Sequence, residues 1–427
     1  MIKKFFGAND LFKNISTLVV GTFLAQLIPV FLQGFLRRIY PKEDFGVYAV
    51  FLSITGIFMV VASFRIEMAV VLPRKKVEAV NLAFAGFFLS FLFCLLCLLA
   101  ILIFFDPLLI LLNLQPQHGF MLYYLPPAIF FFSSYQVMNY YLVRFKAYRE
   151  ISVNKISRRV AEGVSQIALG LAGILQTGLI LGNMAGHLTN NITGWYQILK
   201  KGFSLRLYSW RRQWELVWKY REFPVFNMIP AFLNALCMHL PLLFVNSFYS
   251  PEATAYFDLA RWVLVFPASI LTLSISQVLL QAISEKNNKK QSFRQDMQRL
   301  ILFLAILGAG MVILTLLWAP SLFALYAGDD YYTSGIFAQV IVPGAALKLI
   351  VSPLTSIFTA LKRIKVFSIW QAFYFLMIGS LILFRDADIM SFLRIYLIVD
   401  FISYGILLIL IIYKVKQYEK SLSHYKS

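Results

Sequence analysis

The amino-acid sequence predicts an all-α integral membrane protein, with about twelve transmembrane helices in two six-helix lobes around a central cavity. Three observations predict it. Of 427 residues, 60% are hydrophobic and only 14% charged, where an average soluble domain has about a quarter charged. Apolar runs of about 20 residues, the length that crosses a bilayer, recur from end to end. Lys and Arg gather between those runs mainly on one side. A soluble chain of this size could not hide so much apolar surface, and a disordered one would not be 16% aromatic.

The spans follow in order. In the first half they lie at roughly 14–36, 46–70, 79–105, 119–142, 157–175 and 178–198. The fifth and sixth form one apolar stretch, which Gln176-Thr177-Gly178 is expected to divide. In the second half they lie at roughly 222–246, 254–283, 297–320, 332–360, 364–384 and 391–413. Met1 to Lys13 is polar and basic and reads as a cytoplasmic tail rather than a cleavable signal. With that tail inside, 31 of 39 Lys and Arg face the cytoplasm. Five face outward (Arg37, Arg38, Lys42, Arg385 and Arg394), and three lie within spans. Both termini are therefore expected in the cytoplasm. The net charge of +19 is spread over seven segments as a topology signal, so it does not imply a nucleic-acid partner.

The chain divides into 1–198, an N-terminal six-helix lobe, and 222–413, a C-terminal six-helix lobe. A basic cytoplasmic linker at 199–221 joins them, and a tail follows at 414–427. The passages around Leu27–Tyr48 and Leu240–Phe257 are alike. Each has Pro in the outer part of a helix, a short loop with Pro and acidic residues, then aromatics entering the next helix. Paired halves of one orientation commonly enclose a cavity that opens alternately to the two sides.

Several chemistries have no support. No Gly-x-x-x-x-Gly-Lys loop occurs for ATP, and no His-Glu-x-x-His for a metal. Cys94-x-x-Cys97 lies mid-span among Leu and Phe, where packing is the natural role. Neither a metal nor a cofactor is expected. External loops are short, which argues against a membrane glycosyltransferase or polymerase.

Charges inside the membrane cost at least about 2.5–3.5 kcal/mol each and so mark candidate sites. They are Arg65 and Glu67 in the second span, Asp258 and Arg261 in the eighth, Lys348 in the tenth and Asp400 in the twelfth, with Arg37 and Arg38 at the outer end of the first. On a helix Arg65 and Glu67 point about 200° apart and cannot form one simple pair. Asp258 and Arg261, three apart, can pair. Lys348 stands between Pro343-Gly344 and Ser352-Pro353, which suggests an interrupted helix. A ladder of cations, Arg65, Lys348, Arg261 and Arg38, suits an anionic substrate. Glu67, Asp258 and Asp400 are candidates for coupling or ion pairing. Tyr48, Tyr123, Tyr124, Tyr140, Asn139, Asn183 and Gln277 offer rings, amides and hydroxyls within or beside the spans.

The run Arg65-Ile66-Glu67-Met68-Ala69-Val70-Val71-Leu72-Pro73, followed by Glu78-Ala79-Val80-Asn81-Leu82, resembles the Arg-x-Glu-x-Ala…Leu-Pro pattern of Wzx-like oligosaccharide flippases. Tyr40-Pro41-Lys42-Glu43-Asp44-Phe45-Gly46-Val47-Tyr48 is similar to the same family. These are polysaccharide biosynthesis proteins of the multidrug/oligosaccharidyl-lipid/polysaccharide exporter superfamily. The resemblance implies a two-lobe fold with a basic cavity in the bacterial inner membrane. It implies alternating-access movement of an undecaprenyl-pyrophosphate-linked oligosaccharide to the outer leaflet, for O-antigen or another surface polysaccharide. It places Arg65 by motif, and Arg261 and Lys348 by helix position, in the cavity. The partners it implies are the lipid-linked oligosaccharide and membrane lipids, with a polymerase or glycosyltransferase as further candidates, and the protein is expected as a monomer. The alternatives are an organic-cation multidrug exporter of the same superfamily, a membrane enzyme and a non-transporting scaffold.

Overall fold

A computed structural model describes residues 26–426. The basic tail and the start of the first span lie outside the described residues. The chain forms two compact units, Met1–Ala235 and Leu236–Ser427.

The first unit begins with helical residues 26–39, here α1. It continues through α2 (Lys42–Phe58), α3 (Lys76–Ile103), the short α4 (Phe105–Leu111), α5 (Phe120–Arg144), α6 (Tyr148–Leu171), α7 (Leu175–Lys200) and α8 (Trp210–Lys219). Helix α9 (Glu222–Phe248) crosses the boundary. The second unit adds α10 (Pro251–Asn288), α11 (Arg294–Ala327), α12 (Tyr332–Val351), α13 (Ser356–Ala360), α14 (Ile364–Gly379) and α15 (Ile389–Lys426). The long helices follow the twelve expected spans in order. Among the described residues, seven are long and apolar enough by themselves to cross a membrane. Leu92, Leu95, Leu96 and Leu99 of α3 are exposed, as lipid-facing residues of a multi-pass membrane protein should be.

Two local expectations are corrected, at the second span and between the fifth and sixth. The second span is not one helix over 46–70: α2 ends at Phe58, and a turn region leads to a 3-10 segment, Ile66–Val71. Phe64 (φ 52°) and Arg65 (φ 61°) are left-handed, a conformation no α-helix can contain. Arg144, at the end of α5, holds this segment by donating to the carbonyls of Val71, Pro73 and Arg74. The fifth and sixth spans part at Ala172–Ile174 rather than at Gln176–Gly178. Gly173 supplies the positive φ (78°) that the turn requires, and Gly178 stays helical against Tyr40. In the tenth span the helix runs through Pro343 and breaks only at Ser352–Thr355, which is 3-10. The tail after residue 413 continues α15 to Lys426, since no Pro or Gly interrupts it.

In the first unit the core gathers Ile66, Val70, Leu82, Val137, Tyr141 and Phe203. In the second, α12 packs on α10, α11 and α15. The span Asp329–Ala360 that contains it buries 56% of its apolar stretch, against 33% or less in the other six spans, so it is the central helix of its unit. Tight helix contacts depend on glycine. A Cβ on Gly335 would collide with the backbone of Pro320 and Ala319 on α11. Outside the spans, Asp388 caps α15 by accepting from the Ser391 N–H (3.0 Å), and these bonds from Ser391 hold its carboxyl below the usual range.

Candidate functional site

Helix α6 carries Lys155, Arg158, Arg159, Glu162 and Gln166. The spacing of three, four, seven and eleven from Lys155 places all five on one face. Helix α7 approaches that face closely because Gly182 and Gly186 have no side chain. A Cβ on Gly186 would stand 2.8 Å from Glu162 Cβ and 2.9 Å from the Arg158 carbonyl. Asn183 of α7 can then reach Glu162.

Glu162 is a buried carboxylate with three donors. Its Oε1 accepts from Asn183 Nδ2 (2.7 Å) and Tyr48 OH (3.3 Å), and its Oε2 pairs with Arg159 Nη1 (2.8 Å). Gln166 donates to the Leu179 carbonyl (3.0 Å) and to Tyr48 OH (3.3 Å), while Tyr40 OH donates to the Gln166 carbonyl (2.6 Å). Nearby, Asn154 and Gln197 exchange two amide hydrogen bonds, at 2.7 and 2.9 Å. A buried charge supported in this way positions its neighbours. Here it holds the Arg159 guanidinium in place.

Above this network lies a pocket of about 240 Å³, wholly within the first unit. Lys155, Arg158 and Arg159 supply three cations. Gln26, Gln136, Asn139 and Asn190 supply amides, and Phe132 and Tyr135 supply rings. No carboxylate is among the described residues that line it. Four buried atoms around it have no hydrogen-bond partner: Tyr135 OH, Arg158 Nε, Asn139 Oδ1 and Asn190 Oδ1. Buried polar groups are rarely left so. The pocket can hold an anion against its cations and hydroxyl groups against its amides.

A second cluster lies within the second unit. Lys348 Nζ of α12 is 2.7 Å from Asp400 Oδ2 of α15 and donates to Tyr396 OH at 3.2 Å. Tyr374 OH of α14 donates to Asp400 Oδ1 at 2.9 Å.

The remaining candidates from the sequence are placed as follows. Arg65 begins the 3-10 segment and is half-buried, with Nε unbonded. Glu67 accepts from Ser63 Oγ (2.5 Å) inside the same turn, so the helical angle expected between the two does not apply. Arg38 is exposed, and its neighbour Arg37 is buried over the Phe45 ring at 4.3 Å. Arg261 donates to the Met238 carbonyl at 2.6 Å, and Asp258 is half-buried one turn before it. Among these candidates Lys348 and Asp400 meet as an ion pair across two helices. Asn139 lines the pocket, and Tyr48 and Asn183 belong to the hydrogen-bond network of Glu162. Lys155, Arg158 and Arg159 read in the sequence only as loop charges. Their three-and-four spacing from Glu162 is the signal that identifies them.

A family model described as polysaccharide biosynthesis protein matches residues 35–335. Comparison with curated sequences finds no match. Among solved structures, the chain is similar to the lipid II flippase MurJ in an inward closed conformation. The TM-score is 0.74 at 14% identity, covering 95% of this chain and 90% of that one. It is similar to an inward-facing multidrug resistance MATE family transporter of the MOP superfamily, with TM-score 0.71, 14% identity and coverage of 94% and 96%. A MOP superfamily transporter from Pyrococcus furiosus, whose binding pocket is described as reversed in polarity, gives TM-score 0.63 at 14% identity, with coverage of 95% and 96%. At these identities the likeness establishes the fold.

Proposed function

The chain belongs to the polysaccharide biosynthesis protein family and has the fold of a multi-pass membrane transporter, and from that premise we propose that it is a flippase. It moves an undecaprenyl-pyrophosphate-linked oligosaccharide from the cytoplasmic to the outer leaflet, for surface polysaccharide assembly.

The observation that carries this reading is the pocket of Lys155, Arg158 and Arg159. Three cations, with no carboxylate among the described lining residues, favour a multiply charged anion, and Arg forks match phosphate oxygens. The amides of Asn139 and Asn190 that line the pocket suit hydroxyls, which a bare pyrophosphate lacks but a sugar has. The charge distribution supports placing residues 155–159 at the cytoplasmic end of their helix, where a lipid-linked oligosaccharide would enter. Outward movement of two negative charges is favoured by about 4–5 kcal/mol in an inside-negative potential of 100 mV, so no ATP is needed.

An organic-cation exporter is the second reading, suggested by the likeness to a MATE family transporter. It would need acidic side chains open to its ligand. In the first unit Glu162 is instead committed to Arg159, Asn183 and Tyr48.

The test is leaflet transfer of a pyrophosphate-linked polyprenyl oligosaccharide in proteoliposomes. Lys155→Ala and Arg158→Ala should each slow transfer about tenfold or more in folded protein, and collapsing the potential should slow the native protein. Arg65→Ala, Arg261→Ala and Lys348→Ala test the cations first read from sequence. Folded native protein that exports an organic cation and leaves the lipid in place would overturn the reading.

A further inference from the structure

The surroundings of Lys348 have the chemistry of a cation site. Asp400 Oδ2 stands 2.7 Å from Nζ and Tyr396 OH 3.2 Å. The rings of Tyr374, Tyr396 and Tyr404 lie 5.8, 5.3 and 5.4 Å from the same nitrogen. All five groups present negative charge or electron-rich faces to one point, which is how proteins hold ammonium ions. The cage is fixed from behind. Tyr374 stacks on Trp370 at 5.5 Å, and Trp370 Nε1 donates to the Ser403 carbonyl at 2.7 Å. Tyr374 OH orients Asp400 through Oδ1 and leaves Oδ2 for the cation. Helices α14 and α15 build the cage, while the ammonium comes from a third, α12, four residues before it breaks at Ser352. The Asp400 side chain is 5% exposed and that of Lys348 22%.

We infer that the second unit contains a monovalent-cation site whose resident cation is the ε-ammonium of Lys348. The tether makes the local concentration of the cation independent of the medium. The carboxylate is then neutralised without a free sodium, potassium or organic ammonium ion, and an external cation meets an occupied site. Without Lys348, the cage would carry an uncompensated carboxylate in the membrane interior, a costly state that any small cation would relieve. The inference stands on the second unit alone and does not depend on what the first unit carries.

The test uses the full chain in nanodiscs and follows thermal unfolding with methylammonium, sodium or potassium chloride, against N-methylglucamine chloride at equal ionic strength. Native protein should show no saturable response to any of the three cations. Lys348→Ala should unfold at lower temperature and be restored saturably by methylammonium, the missing tip of the side chain. Lys348→Ala/Asp400→Asn, which has no charge to neutralise, should lose that response. A saturable, cation-specific rise in Tm of the native protein would overturn the inference, and this arm needs no variant to fold. So would a Lys348→Ala protein indifferent to all three cations.

Discussion

Glu162 shows how one side chain can organise a site it does not line. Its carboxylate lies between Arg159, Asn183 and Tyr48, on three different helices. Replacing it by Gln keeps the volume but leaves Arg158 and Arg159 without their buried counter-charge. Removing one partner of a buried pair costs about 3–5 kcal/mol. Glu162→Gln should therefore lower Tm clearly in detergent unfolding, while Glu162→Gln/Arg159→Gln should recover part of the loss. Equal Tm values for native and Glu162→Gln would show that the network contributes little. At this scale the sequence is legible by chemistry but not by role. Intramembrane charges at 65, 67, 261, 348 and 400 stand out by their cost, and Asp400 reads as a candidate for ion pairing. That its partner is Lys348, 52 residues away, requires α12 and α15 to be side by side. The pocket cations read as loop charges because they close the basic segment that runs from Arg144 to Arg159, although α6 already begins at Tyr148.

At the scale of elements, the glycines set how close helices come. The α11–α12 contact passes over Gly335, where the Pro320 backbone fills the place of a side chain. Gly335→Ala should force the helices apart and cost about 1–3 kcal/mol. Hydrogen exchange should then rise along both helices; if Tm and exchange stay native, the contact is looser than its geometry implies. Helix existence is legible here, because an apolar run bounded by charge or Pro leaves few alternatives in lipid. Helix ends are less legible. Phe64 and Arg65 take left-handed conformations although neither is Gly or Asn, so no local signal announces the break after α2. The Arg144 donors that hold this segment come from 70 residues or more away.

For the whole molecule, orientation is the property that the charge count addresses. In a chain with Cys94, Cys97 and Cys237 replaced, Arg211→Cys and Asp386→Cys test it. Both native side chains are well exposed, at 92% and 89%. A membrane-impermeant thiol reagent added outside intact cells should label position 386 and spare 211 until the cells are opened. The reverse pattern would invert the topology and move the basic pocket to the outer side.

The sequence by itself determined the membrane class and the order of the long helices. These follow from composition and from bilayer thickness, which act on each segment independently of its neighbours. The tertiary structure decided which polar residues share a site. Lys155, Arg158 and Arg159 face Asn139 and Asn190, and Lys348 meets Asp400 within three tyrosines. Such groupings depend on which helix faces adjoin, and packing between helices sets that.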